Sequence, residues 1–366
     1  MNENQQEKKS LASKLTTWVR HHKKLAILFG VLTVLIVGGG VTAGLMFFNQ
    51  PAAAPTQQVT PPAPEPIPEP PKYYSNLTGE LVESESASDA LVTAIMIENS
   101  PDARPQSGLK DSGVVFEAIA EGGITRFLVL YQTEKPELIG PVRSLRMYYV
   151  DWLAAFNPSV AHIGGSAKAL QEIRNGEYRD IDQFFNPGAY WRTTDRYAPH
   201  NVYTSFERLD ALNKAKGYKE SDFTGFTRFD SEPAEEPTAT KISVSISSPT
   251  YNSAYTYDAK TNLYNRSQGG GPHLDREAGQ IAPRVVIVMK TPMERVFEDG
   301  YREQIKTIGS GEAHIFQDGT VQKVTWQKKS RTSQITFTDK DGDDVPLARG
   351  QTWITAVPTT GGVSWQ

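Results

Sequence analysis

The sequence predicts a protein of mixed α+β and α/β class in four parts: an N-terminal transmembrane helix, a Pro-rich stalk, a layered α/β domain and a smaller, mostly-β domain. Three observations carry this expectation. Residues 25–48 run 24 positions without a formal charge. Nine prolines then stand between Pro51 and Pro71. Beyond them, short apolar runs first alternate with helix-spaced segments and then give way to strand-like patterns alone.

A helix over 25–48 would cover about 36 Å, enough for a hydrocarbon layer about 30 Å thick with some tilt. Lys8, Lys9, Lys14, Arg20, Lys23 and Lys24 precede it, and no Lys or Arg stands between Phe48 and Lys72. This asymmetry predicts a single-pass location in the cell membrane. The basic tail 1–24 would be cytoplasmic and the C-terminal domains extracytoplasmic. A cleaved signal peptide is the rival, since Ala52-x-Ala54 offers a small-x-small site, but the apolar length favours a retained anchor. Gly40-x-x-x-Gly44 reads as ordinary span composition rather than a helix-pairing motif. The linker 49–72 favours polyproline II and reads as a semi-rigid stalk. The 366 residues hold no cysteine, which excludes disulfides and a cysteine-borne lipid. Net charge is −4, and no basic stripe appears outside the tail, which argues against nucleic acid as a partner.

The α/β domain is expected over 73–218. Residues 91–97, 114–118, 126–132 and 160–163 are its strand candidates. Residues 145–156 carry apolar side chains at helical spacing, and 166–174 read as a helix opened by a Ser cap. Residues 219–240 form a linker, acidic and carrying Pro233 and Pro237. The mostly-β domain, 241–366, opens with Ile242, Val244 and Ile246 alternating with serines. Further strand candidates are 285–289, 315–316, 321–326, 335–337 and 353–357. Asp318-Gly319 and Asp341-Gly342 are hairpin signals between them.

The chemistry-bearing residues concentrate in 117–200. Arg126 opens a strand, and Arg143 and Arg146 open a helix. Gly122-Gly123 and Gly164-Gly165 stand where strands begin or end. Glycine allows close backbone approach, and arginine recognises phosphate or carboxylate through paired donors. The expectation is an anion-binding cleft of Arg126, Arg143, Arg146, His162, Gly164, Gly165, Ser166, Arg192, Arg196 and His200. Glu121, Asp151 and Asp182 would support it, with Asp180 and Asp195 nearby. The alternative is that these charges are internal ion pairs and the glycine pairs are turns. His162 on a strand fits a hydrogen-bonded core histidine; His200 in a loop is the better functional candidate. Ser166 lacks the Gly-x-Ser-x-Gly context of a nucleophile turn, and Gly269-Gly270-Gly271 lacks the Lys of a phosphate loop. In the second domain Tyr264, Arg266, His273 and Asp275 are candidates. His273-x-Asp275 alone is too small a set for a metal site, so neither metal nor cofactor is expected.

Several multi-residue words resemble a known family. They include Asn99-x-Pro101-x-Ala103-Arg104-Pro105-Gln106-Ser107-Gly108-Leu109 and Glu117-Ala118-x-Ala120-Glu121-Gly122-Gly123-Ile124-Thr125-Arg126-Phe127. Ile139-Gly140-Pro141-Val142-Arg143-Ser144, His162-x-Gly164-Gly165-Ser166 and Ala198-Pro199-His200-Asn201 follow, with Tyr264-x-Arg266, His273-x-Asp275 and Gly350-Gln351-Thr352-Trp353-Ile354 in the second part. In this order they resemble the YerB-like lipoprotein family, domain of unknown function 3048, over about 75–358. The resemblance implies a two-domain exported protein without an assigned activity. It transfers no catalytic residue. A membrane helix here stands where the family carries a lipid-bearing cysteine.

The function expected is a cell-envelope binding module for an anionic or glycan ligand, with aromatic loops (Tyr190, Trp191, Tyr197) beside the arginines. One alternative is a phosphotransferase similar to the LytR-CpsA-Psr enzymes, acting on polyprenyl-phosphate-linked glycans. There Arg126, Arg143 and Arg146 would bind pyrophosphate and Asp151 or Asp182 would help hold a metal. The other is a scaffold for another membrane protein. The sequence leaves catalysis and oligomeric state open.

Overall fold

The computed structural model describes Arg20, His22, Lys23, Lys24, Ile27 and residues 71–296 and 302–366. Every element below belongs to the compact unit Pro70–Gln366. Its principal strands, in chain order, are β1 (Thr93–Glu98), β2 (Val114–Glu121), β3 (Ile124–Tyr131), β4 (Ser159–Ala161) and β5 (Arg179–Asp180). Then come β6 (Lys241–Ser245), β7 (Ser253–Asp258), β8 (Leu263–Gln268), β9 (Gly271–Pro272) and β10 (Val285–Thr291). The last are β11 (Gly309–Gln317), β12 (Thr320–Lys328), β13 (Thr336–Thr338), β14 (Thr352–Pro358) and β15 (Gly362–Trp365). Three helices matter: α1 (Met147–Leu153), α2 (Ala167–Ile173) and α3 (Phe206–Ala215).

One twelve-stranded mixed sheet organises the unit. Its order is β13-β12-β11-β10-β14-β2-β3-β1-β4-β5, with the hairpin Met293–Val296/Arg302–Ile305 attached beside β2. The junction at its centre is parallel: Thr352 to Thr355 of β14 pair with Val114 to Glu117 of β2. On its other side β14 pairs, also parallel, with β10. Strands from the two halves of the chain therefore share one sheet. A second, five-stranded antiparallel sheet has the order β9-β8-β7-β6-β15.

Side chains alternate across the main sheet as the pleat requires. Ala94, Met96, Val285, Ile287 and Met289 enter one core with Leu145, Tyr149, Trp152 and Phe156 from the α1 region. Ile95, Ile97, Val286 and Val288 enter the other with Ile242, Val244, Tyr255 and Tyr264 of the second sheet. Burial on both faces explains why 91–97 and 285–289 are continuous apolar runs, while β6, covered on one face, alternates exposed and buried.

Two expectations need correction. The first is the fold class. The described chain is mostly β, with a sheet spanning both halves, and no layered α/β domain is followed by a separate β one. β2 and β3 form an antiparallel hairpin with no helix between them, and α1 and α2 are only seven residues each. Apolar runs buried on both faces resemble the strands of an α/β sheet, which is why the pattern misled. The second is the transmembrane helix and the single-pass location built on it. The longest described helix, α3, has ten residues. No helix among the described residues is long and apolar enough to cross a membrane. Apart from Ile27, the expected span 25–48 lies outside the described residues, as does the linker 49–72 up to residue 70.

Local signals fared better. Ser166 caps α2, its hydroxyl accepting from Ala169 N at 3.4 Å. Asp318-Gly319 forms the two-residue turn between β11 and β12, with φ of 55° and 77°. Gly319 N donates to Tyr264 Oη, and Thr238 N and Ala239 N donate to Gly319 O, which fixes the 219–240 segment to this turn. A Cβ at Gly319 would stand 2.6 Å from the Tyr257 ring. Gly319→Ala is therefore expected to lower the unfolding free energy by about 1–3 kcal/mol, read from urea denaturation; unchanged stability would contradict this account of the turn.

Candidate functional site

The predicted arginines do converge, at the end of β1. Glu98, the last residue of β1, pairs across the ladder with Arg126 of β3, and Arg143 lies on the next segment, its backbone N bonded to Met96 O. Two carboxylates divide three arginines between them. Glu121 accepts from Arg126 Nη2 at 2.6 Å and from Arg146 Nη2 at 2.9 Å and Nε at 3.2 Å. Arg126 Nη1 also donates to Ser144 O, and Arg146 Nη1 to Leu145 O. Burial works against the charge of Glu121, but the two arginines more than offset it and hold its carboxyl below the usual range. Arg126 and Arg146 are buried, so this part of the cluster is an internal ion network.

Arg143 is placed differently. Its side chain is 24% exposed and its Nε lies 3.4 Å from Glu98 Oε1. The same oxygen lies 3.0 Å from His200 Nδ1 and accepts from Ser100 Oγ at 3.1 Å. His200 Nε2 is 3.9 Å from the exposed Asp102. Glu98 itself is buried, and its second oxygen, Oε2, has no hydrogen-bond partner among the described residues. Arg143 Nε, though within ion-pair distance of Glu98, and Arg126 Nε are likewise buried without a hydrogen bond among the described residues. Three orphaned polar atoms thus sit on side chains that meet at one end of β1, against the rule that buried polar groups are paired.

The His162 turn is a neighbour of this cluster. Ile163 N donates to Arg143 O, and Leu145 N to Gly164 O. His162 is fully buried; its ring nitrogens reach Gly164 O at 2.8 Å and Asp180 Oδ1 at 3.0 Å. Asp182, also fully buried, accepts from Gly164 N, Phe184 N and Arg174 Nη2 at 3.1, 3.2 and 2.6 Å. Gly165 packs its Cα against Leu145 O, where a Cβ would come within 3.0 Å. The loop carrying His200 is held by Arg192, which donates to Asn201 Oδ1 at 2.7 Å, and by Arg196, which donates to Asp102 O and Pro105 O.

Other predicted residues lie apart. Asp151 binds Arg331 Nε at 2.9 Å and Thr307 Oγ1 at 2.6 Å, away from the arginine cluster. Asp195 pairs with Arg276 at 2.7 Å. Asp275 closes its own turn, accepting from Glu277 N and Ala278 N, and reaches Lys110 N. Tyr264 is buried against the Asp318-Gly319 turn, and burial pushes its phenol upward. No group of three or more His, Asp or Glu side chains among the described residues is placed to hold a metal ion.

Arg266 and His273 belong to a fully internal network between the two sheets. Arg266 Nη2 donates to Glu117 Oε2 at 2.7 Å, and both side chains have no exposed surface. Trp353 Nε1 and Thr125 Oγ1 complete the shell of Glu117, each at 3.1 Å. The Arg266 guanidinium lies 4.5 Å from the Trp353 ring centroid. Arg266 Nη1 donates to His273 Nδ1, and His273 Nε2 donates to Gln106 Oε1 at 3.1 Å. Gln106 and Arg104 both donate to Asn99 Oδ1. The words around Asn99, Glu117, Arg266, His273 and Trp353 therefore meet in one polar core. Sequence reasoning missed Glu98, Ser100 and Glu117. An acid that ends or interrupts an otherwise apolar strand was the available signal.

Residues 77–219 match the model of the N-terminal domain, and 242–354 that of the C-terminal domain, of the protein of unknown function DUF3048. The protein named "Putative lipoprotein YerB" of Bacillus subtilis (strain 168) is 33% identical over 293 residues, 78% of this chain and 87% of that protein. The chain belongs to the YerB-like DUF3048 family. The crystal structure of Bacillus subtilis YerB superposes with a TM-score of 0.71 at 31% identity, covering 80% of this chain and all of that one. The lipoprotein designation belongs to YerB. The YerB-like words quoted from the sequence thus divide between the Glu98–Arg143 cluster, the His162 turn and the Glu117–Arg266 core.

The core makes two expectations measurable. Arg266→Met should lower stability by about 3–5 kcal/mol, because Glu117 is left as a buried charge without its partner. The double variant Glu117→Leu, Arg266→Met should lose much less than the sum of the single changes in urea denaturation. His273 is held well below the ordinary imidazole range, first by burial and then by Arg266 and Arg104. Folded protein keeps it neutral, whereas the unfolded chain binds a proton below about pH 6.5. Stability should therefore fall as pH drops through and below that value. His273→Gln should flatten the fall, which urea midpoints between pH 7 and 5 would register.

Proposed function

We propose that this YerB-like protein is a binding module for an acid-bearing polar ligand, gripped between Arg143, Glu98 and His200. One observation carries the reading. Of three arginines that meet at the end of β1, Arg126 and Arg146 are paired with Glu121, while the side chain of Arg143 is 24% exposed and meets Glu98 through Nε at 3.4 Å. It stands beside a buried carboxylate whose second oxygen has no hydrogen-bond partner among the described residues. An anionic group docked on Arg143 would gain charge-assisted hydrogen bonds. A sugar carrying a carboxylate or phosphate offers such a group. The lipoprotein designation of YerB makes envelope glycans the first ligands to try.

The phosphotransferase alternative has less support. Two of the three arginines it requires are neutralised internally, and Asp151 is committed to Arg331.

Titration of the full chain with glucuronate, glucose 1-phosphate and neutral glucose, followed by calorimetry or saturation-transfer NMR, tests the proposal. The acidic sugars should bind more tightly than glucose, and less so at high salt. Arg143→Gln should weaken them about tenfold, a change of about 1.4 kcal/mol. Equal affinity of variant and wild type, or no binding of either acidic sugar, would refute it.

A further inference from the structure

The turn beside the Arg143 site carries two aromatic side chains that face water. Phe184 and Phe185 are 66% and 68% exposed, although the unit has ample apolar interior. Exposed aromatic pairs of this kind mark contact surfaces more often than isolated exposed residues do. Their backbone is rigidly held. Asp182, with no exposed surface, accepts from Phe184 N and Gly164 N through one oxygen and from Arg174 through the other. Phe185 N and Asn186 N both return to Asp182 O. One buried carboxylate thus clamps the Phe184 turn to the His162–Gly164 turn.

The two rings are not equivalent. Arg174 lies 4.8 Å from the centroid of Phe185 and occupies it. Phe184 instead places its ring edge over Gly164, at φ +59°, where a Cβ would come within 3.2 Å of Phe184 Cε2. A glycine here lets the ring lie close to the backbone. That backbone is hydrogen-bonded directly to the Arg143–Leu145 segment: Gly164 O accepts from Leu145 N at 3.0 Å and Ile163 N donates to Arg143 O at 3.1 Å. Phe184 is therefore a solvent-facing ring on the turn whose backbone is bonded to the Arg143 segment.

We infer that the ligand is an acidic glycan of at least two sugar units, with its acidic unit at Arg143 and an adjoining ring stacked on Phe184; this rests on the Arg143 site proposed above. An aromatic ring held in place loses little freedom when a flat apolar sugar face covers it. The polar atoms around Glu98 select the acidic unit, and Phe184 adds affinity for chain length. Gly164 and Asp182 act as positioning residues for that platform.

Titrating the full chain with galacturonate, its dimer and its tetramer separates the two claims. Wild type should gain at least tenfold in affinity from monomer to tetramer. Phe184→Ala and Phe184→Leu should lose that gain and keep the monomer affinity, since neither change touches the charged cluster. Arg143→Gln should weaken all three sugars. A length gain that survives in both Phe184 variants, or a wild-type affinity independent of length, overturns the stacking inference while leaving the Arg143 reading intact. Failure of all three sugars to bind removes both.

Discussion

The fully buried pair of Glu117 and Arg266 is the constraint on which the rest of this structure depends. Neither charge can stay in the interior alone, because an unpaired ion there is far more expensive than an unpaired amide. Each therefore fixes the other. Glu117 sits on β2 in the main sheet and Arg266 on β8 in the second sheet, so their contact sets how the two sheets stack. Trp353 adds a third element by bonding the same carboxylate oxygen and stacking on the same guanidinium. A purely apolar interface would tolerate sliding; this one specifies a register.

The network also links that interior to the surface. Gln106 takes a proton donor from His273 through its oxygen and donates through its nitrogen to Glu98 O and Asn99 Oδ1. The loop after β1 is thus anchored to the second sheet, and Glu98 and Ser100 stand at its start. The positions of Arg143 and His200 relative to one another follow from this loop and from the Arg196 bonds that cover it.

How much of this was legible in the sequence differs by scale. Local chemistry was readable: Ser166 caps its helix, Asp318-Gly319 turns its hairpin, and the alternation at Ile242 and Val244 marks a half-covered strand. The convergence of Arg126, Arg143 and Arg146 was also anticipated. Their different fates were not, because Glu121 claims two of them through contacts 5 and 25 residues apart in the chain. Strand order lay out of reach for the same reason. Nothing in Thr352 to Thr355 announces that they pair with Val114 to Glu117, some 240 residues earlier. Arg266 and His273 looked like site residues because charged and imidazole side chains usually seek water. Here they serve the interior instead.

The central position of β14 has a consequence for how the protein is made. When a ribosome has released everything through β13, the partners on either side of the gap, β10 and β2, still present open edges to each other. Unpaired edges of long apolar strands invite association with other chains. The slot between β10 and β2 is filled only when β14 is available, and β14 then closes both sides at once. A nascent chain stalled shortly before Thr352 would lack the keystone of its sheet.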